Sequence, residues 1–342
     1  MREYSNKEHL SFDDILLIPQ ISDISSRKDV DLGGLLGTGL NAIPFRVPMI
    51  AAPMDTVCEY EMAVAIRKAG GLGIIHRYMT IEDQVKQIRM TRANNAVAGG
   101  SIGARGSYAE DAIRLVDAGA ALILIDVANG HSEYAINATI QLRKIFGNSL
   151  HIMAGNVSTW EGYARLADAG ADSIRVGIGG GSACTTRIVS GHGMPTLASV
   201  MDIREHFKLG ESPAIIADGG IRNSGDAAKA LAAGASMVMV GRLLAGTDES
   251  PGEAIHNRKV FRGMASKEAQ ESGRGVVSGV EGIATSVKCV GPVVNIINDF
   301  RAGLSSALSY TGVDNLIDFH NESVYNRVSS NSLQETKPHA KE

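Results

Sequence analysis

Cys184 stands in a loop whose residue types favour nucleophilic chemistry beside a bound anion. The loop reads Gly177-Ile-Gly-Gly-Gly-Ser-Ala-Cys184-Thr-Thr-Arg187 and follows the run Ser-Ile-Arg-Val at 173–176. Glycines let the backbone adopt positive φ and approach a ligand closely. Ser182 and the loop amides can then hold an anion. The loop therefore predicts a cysteine nucleophile placed next to a bound phosphate.

A weak internal repeat indicates the fold that positions this loop. An Ala-Gly pair recurs at 69–70, 118–119, 169–170 and 233–234, each time just before a short apolar run. Each unit is typical of a helix that ends at a glycine and is followed by a strand buried on both faces. With four further runs, eight candidate strands lie at 47–52, 72–75, 96–101, 121–125, 150–154, 173–176, 214–217 and 236–240.

Amphipathic stretches between these runs, at 81–91, 108–117, 135–146 and 224–233, predict helices. Eight alternating units favour an α/β fold of the (β/α)8 TIM-barrel type, with an open doubly wound sheet as the alternative. The segment 263–292 is rich in glycine and serine, and its length predicts a flap after strand eight. We predict one domain over 1–328 with an N-terminal extension, and a disordered polar tail over 329–342.

Composition narrows the class of protein. The chain has 342 residues, of which 44% are apolar and 20% charged, and its net charge of −4 argues against nucleic-acid partners. Three widely spaced cysteines form neither a disulfide framework nor a metal pattern, which favours a reducing compartment. The amino-terminal residues are polar, so we expect no signal peptide, and no apolar run is long enough to predict a membrane-spanning helix. We expect a cytoplasmic protein.

Glycines follow the last two predicted strands. Asp218-Gly219-Gly220 comes after the seventh and Gly241 after the eighth. In barrels of this type the loops after strands seven and eight often bind phosphate, because adjacent glycines expose their amides. Either glycine group alone would suit a plain turn, whereas the two together favour a phosphate site.

Polar residues also follow earlier strands. Asp126 comes after strand four and Asn156 after strand five, where side chains point into the pocket of a barrel or else cap the next helix. Arg77, after strand two, could meet a cofactor phosphate or only solvent.

These residues carry a family resemblance over nearly the whole chain. The sequence resembles the inosine-monophosphate dehydrogenase and guanosine-monophosphate reductase family. The matching pieces are Phe12-Asp-Asp-Ile-Leu-Leu17, Ala52-Pro-Met-Asp-Thr-Val57, Asp126-Val-Ala-Asn-Gly130, Ala154-Gly-Asn156, the Cys184 loop, Asp218-Gly-Gly220 and Arg262-Gly-Met264. The resemblance implies a (β/α)8 barrel, a purine nucleoside monophosphate as substrate, a nicotinamide cofactor and a homotetramer.

The resemblance also implies roles for individual residues. Cys184 would form a covalent adduct with C2 of the purine, while Thr186 and Glu281 would relay a proton. The substrate would be held at its phosphate by Ser182, Gly219, Gly220 and Gly241, at its ribose by Asp218, and at its base or sugar by Met264, Ser266 and Gly282. Asp126 and Asn156 would lie near the nicotinamide. The carbonyls of Gly179, Gly181 and Cys184 would bind potassium.

Three features favour the reductase branch of this family. No regulatory CBS module is inserted after the second βα unit, although some dehydrogenases also lack it. The flap has a single arginine, Arg274, and no tyrosine, so the Arg-Tyr pair that activates water in dehydrogenases is missing. Finally, Cys184-Thr-Thr-Arg187 is similar to the reductase form of the loop.

The resulting prediction is an NADPH-dependent GMP reductase that converts GMP to IMP and ammonia. One alternative is an IMP dehydrogenase without CBS modules, in which Arg274 would activate water. The other is a purine nucleotide sensor without turnover. Three positions depart from the reductase pattern: Ala265 replaces a serine, Val277 and Ser278 replace an aromatic residue and an arginine, and Arg242 replaces a small residue beside the strand-eight glycine.

Overall fold

Eight parallel strands close into a barrel in the computed structural model, which describes residues 4–208, 210–275, 277–329 and 331–335. Neighbouring strands follow one another in the chain, and the eighth pairs with the first, so the doubly wound alternative does not apply. The strands are β1 Met49–Ala51, β2 Leu72–Ile75, β3 Gly99–Ile102, β4 Leu122–Asp126, β5 His151–Val157, β6 Ser173–Val176, β7 Ala214–Asp218 and β8 Met237–Val240. The predicted (β/α)8 barrel is confirmed.

Helices connect and cover the strands. They are α1 Tyr60–Ala69, α2 Ile81–Ala93, α3 Tyr108–Asp117, α4 Glu133–Phe146, α5 Trp160–Asp168, α6 Thr196–Arg204, α7 Ser224–Ala232 and α8 Val293–Thr311. At the end of α1, Gly70 has φ of 105°, which a side chain would disfavour, and this explains the glycine of the repeat. Only 94–98 separate α2 from β3, so no module is inserted there.

The strands divide their side chains between two cores. Alternate residues such as Ile50, Leu124 and Met239 fill the inside of the barrel, whose amino-terminal end is covered by a small hairpin of Gly34–Leu36 and Ile43–Phe45. The residues between them pack against the helices. This two-sided burial is why the strands read as continuous apolar runs and not as alternating ones.

The flap has more regular structure than the weak periodicity of 263–292 predicts. It contains a helix, Lys267–Arg274, and its return strand Ala284–Lys288 pairs antiparallel with Arg258–Arg262. Buried Lys259 and Phe261 alternate with exposed Arg258 and Val260 in this hairpin, but the sequence shows no apolar alternation, because a lysine is buried and a valine is exposed. The Lys259 ammonium donates to the carbonyls of Thr247 and Ser250 at 2.9 and 2.7 Å, which ties the hairpin to the loop after β8.

Near both ends of the described chain, regular structure consists of short strands and helices. Ile15–Leu17 pairs antiparallel with Tyr325–Arg327, and a helix at Leu316–Glu322 precedes that strand. Within the predicted tail, Ser332–Glu335 form a short helix, whereas 330 and 336–342 lie outside the described residues. No helix in the described part of the chain is long and apolar enough to cross a membrane.

Candidate active site

Three side chains form a hydrogen-bonded line at the carboxyl end of the barrel. The Cys184 thiol donates to Thr186 Oγ1 at 3.2 Å, and the Thr186 hydroxyl donates to Glu281 Oε2 at 2.7 Å. All three are partly buried and line one cavity of about 1130 Å³. A thiol, a hydroxyl and a carboxyl in this order can pass a proton between the sulfur side of the cavity and the carboxyl group.

Main-chain hydrogen bonds bring the flap to the cysteine loop. Thr185 N donates to the Glu281 carbonyl at 2.9 Å, and Ile283 N donates to the Ala183 carbonyl at 3.0 Å. Gly282 lies between these bonds, and a Cβ there would stand 3.0 Å from Ser266 N, so only glycine fits without displacement. The backbone itself therefore places Glu281 opposite Thr186.

The flap segment 281–283 has the cysteine loop on one side, and Met264 and Ser266, which are predicted to contact the base, lie on its other side. Glu281 N donates to the Ala265 carbonyl at 3.0 Å, which brings the turn that carries Met264 and Ser266 against the flap. The Ser266 hydroxyl is fully buried and accepts from Ala269 N at 3.2 Å, so it caps the flap helix. Met264 lines the cavity, and its sulfur accepts from Asp55 N at 3.3 Å.

Glycines allow the loops after β6 and β7 to meet at their backbones. A Cβ on Gly177 would lie 2.1 Å from the Asp218 carbonyl oxygen, and one on Gly219 would lie 3.0 Å from Gly181 N. These two positions also have positive φ, 138° and 95°. The residues predicted to hold phosphate line the same cavity as Cys184: Ser182, Gly219, Gly220 and Gly241.

Charged side chains form a second network on the strand ends. Arg175, only 8% exposed, donates to Asp126 Oδ1 at 2.6 Å and to Asp218 Oδ2 at 2.8 Å. Asn156 Nδ2 also donates to Asp218 Oδ2, at 2.7 Å. Arg77 Nε lies 3.4 Å from Asp126 Oδ2. The network therefore joins the ends of β4, β5, β6 and β7 with the loop after β2.

Electrostatics fix the protonation state of this network. Burial by itself would raise the pKa of Asp126, but the charges of Arg175 and Arg77 outweigh it and hold the pKa below its ordinary value. Burial would likewise lower the pKa of Arg175, and the Asp218 and Asp126 charges raise it instead. Asp126 is therefore an ionised, fixed acceptor near neutral pH.

Comparison with known proteins identifies the family. The family model described as "IMP dehydrogenase / GMP reductase domain" matches residues 9–339. The chain belongs to this family. Its members are oxidoreductases that use nicotinamide nucleotides, and the resemblance drawn from the motifs is thereby confirmed.

Named relatives include both branches of the IMP dehydrogenase / GMP reductase family. An inosine-5'-monophosphate dehydrogenase of Nitrosopumilus maritimus is 30% identical over 97% of this chain and 98% of its own length. A GMP reductase of Leishmania major is 29% identical over 97% of both chains. A solved GMP reductase of Trypanosoma brucei, in complex with guanosine 5'-monophosphate, aligns with a TM-score of 0.92 and 27% identity over 99% of both chains.

Sequence reasoning missed two features of the site. Arg175 was passed over as part of a buried strand, although a charged residue inside an apolar run was itself a signal. The second feature is an anchor of the flap: Arg262 donates twice to Asp55 Oδ2, at 2.9 and 2.6 Å, and once to Ser272 Oγ at 2.8 Å. Asp55 follows β1 and Ser272 lies on the flap helix, so the anchor joins barrel to flap.

The predicted potassium ligands are backbone carbonyls of the cysteine loop. The Gly181 carbonyl accepts from Cys184 N at 3.0 Å, whereas those of Gly179 and Cys184 accept no hydrogen bond from any described residue. No group of three or more His, Cys, Asp or Glu suited to a metal occurs in the described ranges. Carbonyl oxygens are ligands that replace the hydration shell of potassium, so the donor set fits this ion.

Proposed function

We propose that the protein is an NADPH-dependent GMP reductase that acts through a covalent bond between Cys184 and C2 of the purine. The observation that carries the proposal is the hydrogen-bonded line of Cys184, Thr186 and Glu281. Release of ammonia needs a proton donor close to the adduct, and this line ends in a carboxyl group.

In the first step the Cys184 thiol passes its proton through Thr186 to the Glu281 carboxylate, the sulfur bonds to C2, and the bond from C2 to the amino nitrogen breaks. Glu281 supplies, through the Thr186 hydroxyl, the proton with which the nitrogen leaves as ammonia. NADPH, when bound, supplies the hydride that C2 receives in the second step. The bond between sulfur and C2 then breaks, and Cys184 is released as a thiolate beside Thr186.

Binding roles follow from where the residues lie. Ser182, Gly219, Gly220 and Gly241 would hold the 5′-phosphate, and Asp218 the ribose. Met264 and Gly282 would contact the base. The Ser266 hydroxyl already caps the flap helix, so Ser266 would contact the substrate through its backbone.

Asp126, Asn156 and Arg77 would hold the cofactor. Arg77 lines the cavity and its Nε lies 3.4 Å from Asp126 Oδ2, so its guanidinium stands beside the carboxylate that would lie near the nicotinamide. The carbonyls of Gly179, Gly181 and Cys184 would hold a potassium ion that shapes the loop.

Two further properties belong to the proposal. We propose a homotetramer, as the resemblance implies, and light scattering of the purified protein tests it. A cytoplasmic location is supported by the three cysteines, all of which are free.

An IMP dehydrogenase is the second candidate, because relatives such as the Nitrosopumilus maritimus protein carry that name. It would convert IMP and NAD to XMP and would need a group that activates water. The sequence has no tyrosine between 164 and 309, and the side chain of Arg274 lies outside the described residues. A sensor without turnover would need none of the Cys184, Thr186 and Glu281 line.

The deciding experiment supplies purified protein with potassium, NADPH and GMP and follows the absorbance of the reduced nicotinamide. A reductase consumes NADPH and forms IMP and ammonia in equal amounts. A rise in absorbance with IMP and NAD, and no reaction with GMP, would establish the dehydrogenase instead. No turnover in either direction, together with tight nucleotide binding, would support the sensor.

A further inference from the structure

One edge of the active-site cavity carries positive charge that the protein does not neutralise. Arg242, Arg258 and Lys288 are exposed, line the cavity, and have no carboxylate within 4.0 Å among the described residues. Elsewhere in the same cavity Arg222 pairs with Asp13, while Arg77 and Arg175 pair with Asp126 and Asp218. Arg187, on the cysteine loop, also lacks a carboxylate partner among the described residues, but its guanidinium donates to the Met194 carbonyl at 2.7 Å. The three cations on the side of β8 form the larger group of unpaired charge.

Backbone contacts place these three cations at one junction. Arg242 directly follows Gly241, and a Cβ on Gly241 would lie 3.8 Å from Phe261 of the flap hairpin. One turn later, Gly246 packs under the return strand: Val290 N donates to the Gly246 carbonyl at 2.9 Å. Lys288 stands in that return strand directly opposite Arg258. The turn after β8 carries Arg242, and the end of the hairpin at 258 and 288 carries the other two cations. These two segments are in contact with each other.

The arrangement is unfavourable without a counter-ion. Like charges directly opposite each other in an antiparallel pair are destabilising, and Arg258 and Lys288 are such a pair. Ser286 holds the Arg258 guanidinium in place, with hydrogen bonds of 2.7 and 2.8 Å to its hydroxyl and carbonyl. The Arg242 and Lys288 side chains make no hydrogen bond to any described residue, so both are available to a ligand.

We propose that Arg242, Arg258 and Lys288 form a second anion subsite beside the 5′-phosphate position, and that it takes the β-phosphate of a purine nucleoside 5′-diphosphate. The inference rests on the proposed function, because it assumes that Gly241 holds the first phosphate. A phosphate group accepts charge-assisted hydrogen bonds from guanidinium and ammonium groups together. The substrate class would then extend from monophosphates to diphosphates.

Calorimetric titration of the full chain with GMP and with GDP tests this subsite. In the wild-type protein GDP should bind at least as tightly as GMP. Arg242→Ser should lower the ratio of GDP to GMP affinity by about tenfold, the size of one lost charge-assisted hydrogen bond. Arg242→Lys should keep most of the ratio, and Lys288→Ser should lower it. Arg301→Ser changes an exposed arginine outside the cavity and should leave the ratio unaltered.

The other outcomes overturn the subsite. If Arg242→Ser weakens GMP and GDP equally, Arg242 contacts only the first phosphate. If inorganic phosphate strengthens GMP binding and GDP has no advantage, the subsite holds a free anion and not a β-phosphate. A wild-type protein that binds GMP but not GDP also refutes it. Failure to bind either nucleotide would instead refute the proposed function.

Discussion

The two walls of the cavity are built in different ways. On the barrel wall, Arg175, Asp126 and Asp218 extend from strand ends and are joined by buried ion pairs. On the flap wall, Cys184 and Glu281 lie on loops and Thr186 begins the short helix Thr186–Val189. All three are partly exposed and are aligned by main-chain hydrogen bonds between the two segments. Groups that orient a ligand gain from rigid strands, whereas reacting groups must exchange partners as bonds form and break. The difference predicts that the barrel wall governs stability and the flap wall governs turnover.

The largest expected effect is on the flap wall. Cys184→Ala removes the only nucleophile of the proposed mechanism, so turnover should fall by more than about a thousandfold. Nucleotide affinity and the thermal midpoint should change little, because Cys184 is only partly buried. Steady-state kinetics and calorimetry measure the two quantities. Substantial remaining turnover would refute the covalent mechanism.

Glu281→Gln keeps the shape and the hydrogen bond from Thr186, but the amide cannot take up and return a proton. We expect kcat to fall by about 10²- to 10⁴-fold, the usual contribution of a general acid. Glu268→Gln, at an exposed position of the flap helix, is the matched control and should behave as wild type. A kcat in the Glu281 variant close to that of wild type would contradict the relay.

On the barrel wall, Arg175→Met should cost about 3–5 kcal/mol of unfolding free energy, because it leaves Asp126 and Asp218 without their buried partner. Denaturant unfolding at neutral pH measures the loss. The control is Arg165→Met, which breaks an exposed pair with Glu133 and should have little effect. Equal losses in the two variants would show that the buried network does not stabilise the barrel.

Acidification should narrow the gap between wild type and Arg175→Met. The pKa of Asp126 is lowered in the folded protein, so its contribution to stability is present above the ordinary carboxyl pKa and is lost as the pH falls through the folded value. Without Arg175, burial should raise the pKa of Asp126. Protonation of Asp126 at lower pH then removes the buried charge that destabilises the variant. The free energies of unfolding of the two proteins, measured from neutral pH down to about 3, should approach each other, and a constant gap would exclude this cause.

The smallest effect is expected where the two walls are joined. Asp55→Asn weakens the charge-assisted bonds to Arg262 and should cost about 1–2 kcal/mol. The loss should concentrate in the flap: hydrogen exchange should quicken in the helix Lys267–Arg274 and stay slow in the barrel strands. Asp117→Asn, an exposed change at the end of α3, is the control. Faster exchange throughout the barrel would show that the anchor stabilises the whole fold.

Much of the fold could be predicted because each unit carries its own signal. The helix at 108–117 agrees with the structure at both ends, and strand β6 does so as well. Strand β5 runs on to Val157, beyond the predicted end at 154, because Gly155 and Asn156 interrupt the apolar signal before Val157. The hairpin at the base of the flap was missed, since Lys259 is buried and Val260 exposed, so the sequence carries no apolar alternation there.

The sequence by itself determined the order of strands and helices, the glycine loop around Cys184 and the family. These are local patterns, set by burial on both faces of a strand and by backbone freedom at glycine. The resemblance paired Thr186 with Glu281, but only the tertiary structure decided that Arg175 meets Asp126, 49 positions away, and that Asp55 meets Arg262, 207 positions away. Such contacts arise when the barrel closes and the flap folds back over its carboxyl end, and no local property of either residue encodes the partner.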